Sequence, residues 1–123
     1  MSNKPTRNDA LRDRLARSRD VNITVIGRKS GRRISIPVWF VLDEDKLYLL
    51  PVQGSNTQWY KNVLKNPLLQ IEAGTLEAEF KVVPVTDAPG VASVVERFRD
   101  KYGASDVRKY YSKFDVAVVA QVR

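Results

Sequence analysis

Between Val21 and Val52 the chain alternates apolar and polar residues at every second position, and the pattern is broken by only two turn-rich interruptions. A period of two places successive side chains on opposite faces of an extended strand, so this region predicts consecutive antiparallel strands and leaves little room for helix. Val21–Gly27 reads as the first strand, with Val21, Ile23 and Val25 on one face and Asn22 and Thr24 on the other. In the second, Ile34, Ile36, Val38, Phe40 and Leu42 form the expected core face, opposite Arg33, Ser35, Pro37, Trp39 and Val41. An acidic turn at Asp43–Asp45 leads to a third strand over Lys46–Val52. The turn between the first two is unusual, because Gly27 and Gly31 enclose Arg28, Lys29 and Ser30, and Arg32 and Arg33 follow. A hairpin needs the glycine but not four cations, and an anion is the natural partner for them.

The rest of the chain completes a closed set of strands. Asn56 or Thr57 is placed to cap a short helix carrying Trp59, Tyr60, Val63 and Leu64, which Asn66-Pro67 stops. Leu68–Ala73 and Leu76–Val85 read as a hairpin around Gly74-Thr75. Asp87 caps a helix with Pro89 in its first turn and Val91, Val94, Val95, Phe98 and Tyr102 at helical spacing, and Gly103 ends it. A further helical stretch is expected from Ser105 to Phe114, then a sixth strand over Val116–Val122. At the N-terminus, Thr6 or Asn8 caps a basic amphipathic helix running to about Ser18, so the organisation reads as a helix over residues 1–20 and one domain over 21–123. Six mainly antiparallel strands with helices at the connections predict an α+β fold, a small six-stranded β-barrel whose closure removes exposed edges. Pro37 cannot donate to a ladder, so it marks an edge, a bulge or a gap in the barrel wall.

Composition narrows the chemistry. The chain of 123 residues has no cysteine and no histidine, which removes disulfides, thiol catalysis, Cys/His metal sites and any serine–histidine triad. No metal site is expected. No apolar run approaches the ~20 residues of a membrane span, and the N-terminus lacks the apolar segment of a signal peptide, so a soluble cytoplasmic protein is expected. The formal charge is +7, and all of the excess lies in residues 1–33, where ten Lys/Arg face Asp9, Asp13 and Asp20; beyond them eleven of each sign balance. A charge confined to one end speaks against a nucleic-acid surface spread over the fold and for a local anionic partner.

The Gly-Arg-Lys-Ser-Gly turn at 27–31, the strand with Pro37, the Trp59-x-x-Asn62 helix and the Asn66-Pro67 stop together resemble the deazaflavin-dependent nitroreductase family of the flavin-type split-barrel superfamily. The likeness covers about Thr24 to Gly74 and extends loosely to Tyr110, Tyr111 and the last strand. It implies a split barrel whose basic turn holds the phosphate and acidic tail of coenzyme F420, a deazaflavin, while a cleft takes the tricyclic ring. On that resemblance Arg28, Lys29, Ser30 and Gly31 form the anion cradle, with Arg33 adjoining it. Pro37 and Trp39 flank the ring, and Trp59 and Asn62 supply an aromatic wall and an amide. Gln53 and Gly54 stand where many relatives carry a basic residue before glycine, a departure that keeps FMN open as an alternative cofactor. Tyr110 and Tyr111 fall in the region whose tyrosines line the substrate side and could orient an acceptor oxygen or donate a proton.

With no histidine or cysteine, general acid–base and nucleophilic chemistry have few candidates, and hydride transfer suits the chain best, since that reaction needs chiefly close placement and exclusion of water. The expectation is a reductase passing hydride from reduced F420 to a quinone, nitroaromatic or enone acceptor. The partner is then a small molecule, with peripheral membrane proximity where it is a quinone, and the protein a monomer or homodimer. A non-catalytic carrier of a cofactor or ligand, or a binder of acidic partners through the N-terminal helix, is the remaining reading.

Overall fold

The computed structural model describes residues 7–122, with side chains from Asp9 onward. Thr6 lies outside the described residues, as does the side chain of Asn8. The elements run α1 (Arg7–Ala16), β1 (Asp20–Ile26), β2 (Arg33–Asp43), β3 (Lys46–Leu49), α2 (Gln58–Lys65), β4 (Leu68–Ala73), β5 (Leu76–Val85), α3 (Ala88–Tyr102), α4 (Ala104–Tyr110) and β6 (Ala117–Gln121). The strands close into an all-antiparallel barrel in the order β1-β2-β3-β6-β5-β4. Among the described residues no helix is long and apolar enough to cross a membrane.

Two apolar clusters hold this arrangement. Inside the barrel lie Ile23, Val25, Phe40, Leu47, Ile71 and Val118, all but inaccessible, together with Leu11 and Leu15 of α1 and Trp59, Tyr60 and Val63 of α2. Leu11 and Leu15, four residues apart, give α1 a single buried stripe that packs into the same core as the strands. Outside the wall, α3 and α4 cover the second face with Val91, Val94, Val95, Phe98 and Val107, joined by Tyr111 just past α4, against Trp39, Val41 and Tyr48. The α3 start follows its sequence signals, since the Asp87 carboxylate accepts the Gly90 N–H at 2.8 Å and Gly103 closes the helix. Residues 111–115 are not helical: the Ser112 N–H donates to the Val52 carbonyl, and Gln53 bridges to Lys113.

The wall is incomplete at β2, and the ladder shows why. Gly27 donates to the Arg32 carbonyl at 2.8 Å, and the register pairs Ile34, Ile36 and Val38 with Val25, Ile23 and Val21. Alternation in an antiparallel ladder then turns the N–H and C=O groups of even-numbered β2 residues toward β1 and those of odd-numbered residues away from it. Phe40 obeys the same rule: before Asp20, where β1 begins, the Tyr102 hydroxyl takes the place of the missing strand. It accepts the Phe40 N–H at 3.0 Å and lies 2.8 Å from the Phe40 carbonyl and 2.5 Å from the Arg19 carbonyl. On the far side only Phe40–Asp43 pair with β3.

The sequence pattern predicts β3 through Val52, but it stops at Leu49. Leu50 turns into the second cluster, and Pro51, which has no N–H for the ladder, starts a tight turn in which Gly54 donates to the Pro51 carbonyl. Residues 33–39 of β2 are thus left without a strand on their outer edge among the described residues. Pro37 sits in this stretch with its nitrogen directed into the gap, so it deletes no β1–β2 bond. The same opening explains why Ile34, expected in the core, is 39% exposed, and why Ile36 and Val38 are only partly buried.

Candidate functional site

The gap beside β2 is a cleft of about 640 Å³. Its base is the free edge Ile36–Trp39, one wall is Thr57, Gln58 and Trp59 at the start of α2, and the other is Tyr110 and Tyr111. Leu50, Val52 and Gln53, the segment diverted at Pro51, close the back, and Asp20 stands at one end. By the ladder argument the backbone groups of Pro37 and Trp39, the odd-numbered residues of this base, are directed away from β1, giving one N–H donor and two carbonyl acceptors along one edge. A flat heterocycle with alternating donors and acceptors can pair with such an edge as a strand would.

The aromatic side chains are held rather than loose. Trp39 stacks on Tyr102 with ring centroids 4.2 Å apart and planes 7° from parallel, and meets Tyr110 edge-on at 5.5 Å. Tyr111 is buried among Phe98, Trp39 and Phe114, while Tyr110 is half-exposed. Burial, with a smaller contribution from Tyr102, pushes the Tyr111 hydroxyl well above the usual phenol range, so it is a neutral donor at any physiological pH. Burial likewise raises Tyr102 to about 12.

The basic turn lies beside the α2 wall. Gly31 adopts φ +70°, and its N–H closes the loop onto the Gly27 carbonyl at 2.9 Å. Asn62, buried on α2, accepts both the Arg28 N–H at 3.0 Å and Arg28 Nη1 at 2.9 Å through its amide oxygen. Arg28 Nη2 reaches Gln58 Oε1 at 2.9 Å. Arg28 is therefore a peg that ties the turn to a cleft-lining residue through neutral acceptors. Lys29 and Arg32 project outward, Ser30 Oγ accepts the Arg32 N–H, and Arg33 Nη2 bonds Gln70 Oε1 on the outside of β4. Among the described residues no carboxylate pairs with any of these four cations.

Of the residues singled out from the sequence, Pro37, Trp39, Gln53, Trp59, Tyr110 and Tyr111 line the cleft together. Arg28 and Asn62 border it through Gln58, while Lys29, Ser30, Gly31 and Arg33 lie farther out along the turn. Gly54 is not in the wall. At φ +55° it packs where a Cβ would stand 2.1 Å from Asp115 Oδ1, and the same carboxylate takes Ser55 N–H and Oγ. Sequence reasoning missed Asp20, Leu50, Thr57 and Gln58. The available signal was Pro51, which ends β3 and sends 50–58 across the opening.

Residues 12–121 match the protein family described as uncharacterized protein conserved in bacteria (DUF2255). No curated protein matches the chain. Among solved structures, an F420-H2 dependent reductase (FDR-A) is similar with a TM-score of 0.65 at 17% identity, over 83% of this chain and 93% of that one. A domain-swapped dimer matches with TM-score 0.66 at 16% identity, over 94% and 99%. The heme storage protein HutZ from Vibrio cholerae matches with TM-score 0.68 at 13% identity, over 91% and 87%. At these identities the likeness establishes the split-barrel fold.

Proposed function

We propose that this chain, which belongs to the DUF2255 family, is a deazaflavin-dependent reductase that uses the β2 cleft to bring coenzyme F420 and a flat acceptor together. The observation that carries the reading is the free edge at Ile36–Trp39, opening on an aromatic cleft beside a basic turn with no carboxylate partner among the described residues. The residues present suit such a group: backbone donors and acceptors for the rim of a heterocycle, Trp39 and Trp59 as flanking aromatics, and Lys29, Arg32 and Arg33 for an acidic tail. When bound, the reduced coenzyme supplies the hydride.

The chain's own part is placement. Pro37 and Trp39 form a rigid floor, the Asn62–Arg28 peg fixes the turn relative to α2, and the tyrosine wall excludes water. Tyr110, the more exposed of the pair, is positioned to meet an acceptor oxygen, and Tyr111 shapes the pocket as a neutral hydroxyl. The acceptor in this reading is a quinone, nitroaromatic or enone. Haem, named for two structural neighbours, suits the chain less well, because neither histidine nor cysteine is present to serve as its axial ligand.

FMN is the second reading, favoured by Gln53, a neutral residue at the cleft's back where many members of the resembled family carry a cation. Fluorescence titration with oxidised F420 and with FMN separates the two. Micromolar F420 binding that weakens in Lys29→Ala supports the proposal; tight FMN binding with none of F420 replaces it. Ligand binding without turnover of any acceptor would make the protein a carrier. A homodimer fits the domain-swapped neighbour, and sedimentation measures it directly.

A further inference from the structure

A second recess, of about 570 Å³, adjoins the cleft at the opposite end from the basic turn. It lies where α1 ends, β1 begins and the β4–β5 turn approaches, and Asp20 belongs to the walls of both. Arg14, Arg17 and Arg19 line it together with Asp20 and Glu72. Glu72 Oε1 already accepts Thr24 Oγ1 at 3.0 Å, and among the described residues none of the three arginines forms an ion pair. Arg14 is braced over Gly74, its guanidinium 3.2–3.4 Å from where a Cβ would stand. Arg19 lies over the rings of Trp39 and Tyr102, at 5.6 and 5.4 Å from their centroids, so it links the recess to the aromatic floor of the cleft.

The two cationic clusters therefore flank one trough. β1 separates them: residues 14–19 precede its first residue and residues 28–33 follow its last, about 20 Å away for seven residues at strand rise. A single flat ligand cannot use both ends and also leave room for a second reactant. We infer that the Arg14–Arg17–Arg19 recess receives an anionic group carried by the acceptor, a flat aromatic substrate bearing a sulfonate, carboxylate or phosphate. This deepens the proposed reductase reading and rests on it for the word acceptor, though not for the binding. Guanidinium groups suit the role because they engage such anions with paired, directional donors.

The test compares two probes of similar ring size, 1,4-naphthoquinone-2-sulfonate and the neutral 2-methyl-1,4-naphthoquinone, by quenching of tryptophan fluorescence with no coenzyme present. The chain has no cysteine to trap a quinone covalently. The sulfonate should bind about tenfold more tightly than the neutral ring at low salt, as one charge-assisted contact allows. Arg17→Gln should abolish that preference, Arg17→Lys should restore part of it, and Lys29→Ala should leave it intact. Equal affinity of the two probes, or an equal loss of both in Arg17→Gln, would overturn the inference. So would a preference lost in Lys29→Ala instead, or an Arg17→Gln protein that loses F420 affinity but keeps the sulfonate preference, since the recess would then serve the coenzyme. Failure of F420 to bind at all would remove the reductase reading and leave this result standing.

Discussion

One hydroxyl does the work of a strand residue at the start of β1. Tyr102 meets Phe40 N–H, Phe40 C=O and Arg19 C=O where β1 and β2 separate, and its ring supports Trp39. Tyr102→Phe keeps the stacking and leaves the buried Phe40 N–H without a partner, so a loss of about 1–3 kcal/mol is expected in urea unfolding. Next to it, the Lys101 ammonium donates to the Phe40 carbonyl at 2.8 Å, and burial, aided by Arg19 and opposed by Asp20, lowers it from 10.5 to about 8. Between those values the unfolded chain holds the proton that the folded one has released, so stability rises with pH across that window. Tyr102 acts in the other sense: raised from 10.0 to about 12, its contribution is complete below 10.0 and is lost as pH climbs toward 12. Melting temperatures should therefore climb above pH 8 and fall beyond pH 10, and Lys101→Met should flatten the climb without touching the fall. A profile unchanged by Lys101→Met would refute the assignment.

At the scale of the element, the contrast between adjacent residues of β2 tests the split. Pro37 directs its nitrogen into the cleft, whereas Val38 exchanges ladder bonds with Val21. Pro37→Ala should cost no more than about 1 kcal/mol, chiefly through the freer unfolded chain. Val38→Pro should cost more, because it strips a bond from the β1–β2 ladder and leaves the Val21 carbonyl bare, a loss of about 1–3 kcal/mol before any steric clash. Chemical denaturation of the two variants gives the order directly, and the reverse order would mean that the edge faces the other way. All six strands were legible from alternation and turn residues, because both depend on local backbone chemistry. What alternation could not show was where pairing stops. Lys46–Val52 reads as one strand, and only the ladder reveals that Pro51 diverts the chain and that Pro37 tolerates the gap rather than causing it. The C-terminal connection departs from its sequence pattern for a related reason. Val107, Tyr110, Tyr111 and Phe114 fit a helical period, yet the pairing of 112–113 with 52–53 outweighs it after Tyr110.

On the scale of the whole molecule, the charge excess of residues 1–33 was visible in the sequence, but its division between two sites was not. That division depends on α1 burying Leu11 and Leu15 in the barrel core, which fixes Arg14, Arg17 and Arg19 at the head of β1 while the turn carries Arg28 to Arg33 at its foot. The cations at the two ends of β1 make a field that reaches a Debye length, about 10 Å at 0.1 M salt, beyond the surface. An acidic coenzyme should therefore be captured through its tail first and settle its ring afterward. The association rate for F420 should drop about tenfold between ~20 mM and ~0.5 M NaCl, whereas the tail-free deazaflavin ring should associate at a salt-independent rate. Lys29→Ala should shrink the salt dependence for F420, because it removes a charge from the end where the tail binds, and Arg17→Gln should shrink it less. Stopped-flow fluorescence resolves these cases. Equal salt dependence for the coenzyme and its bare ring would mean that the turn's cations play no part in capture, and that the cleft alone selects what the barrel holds.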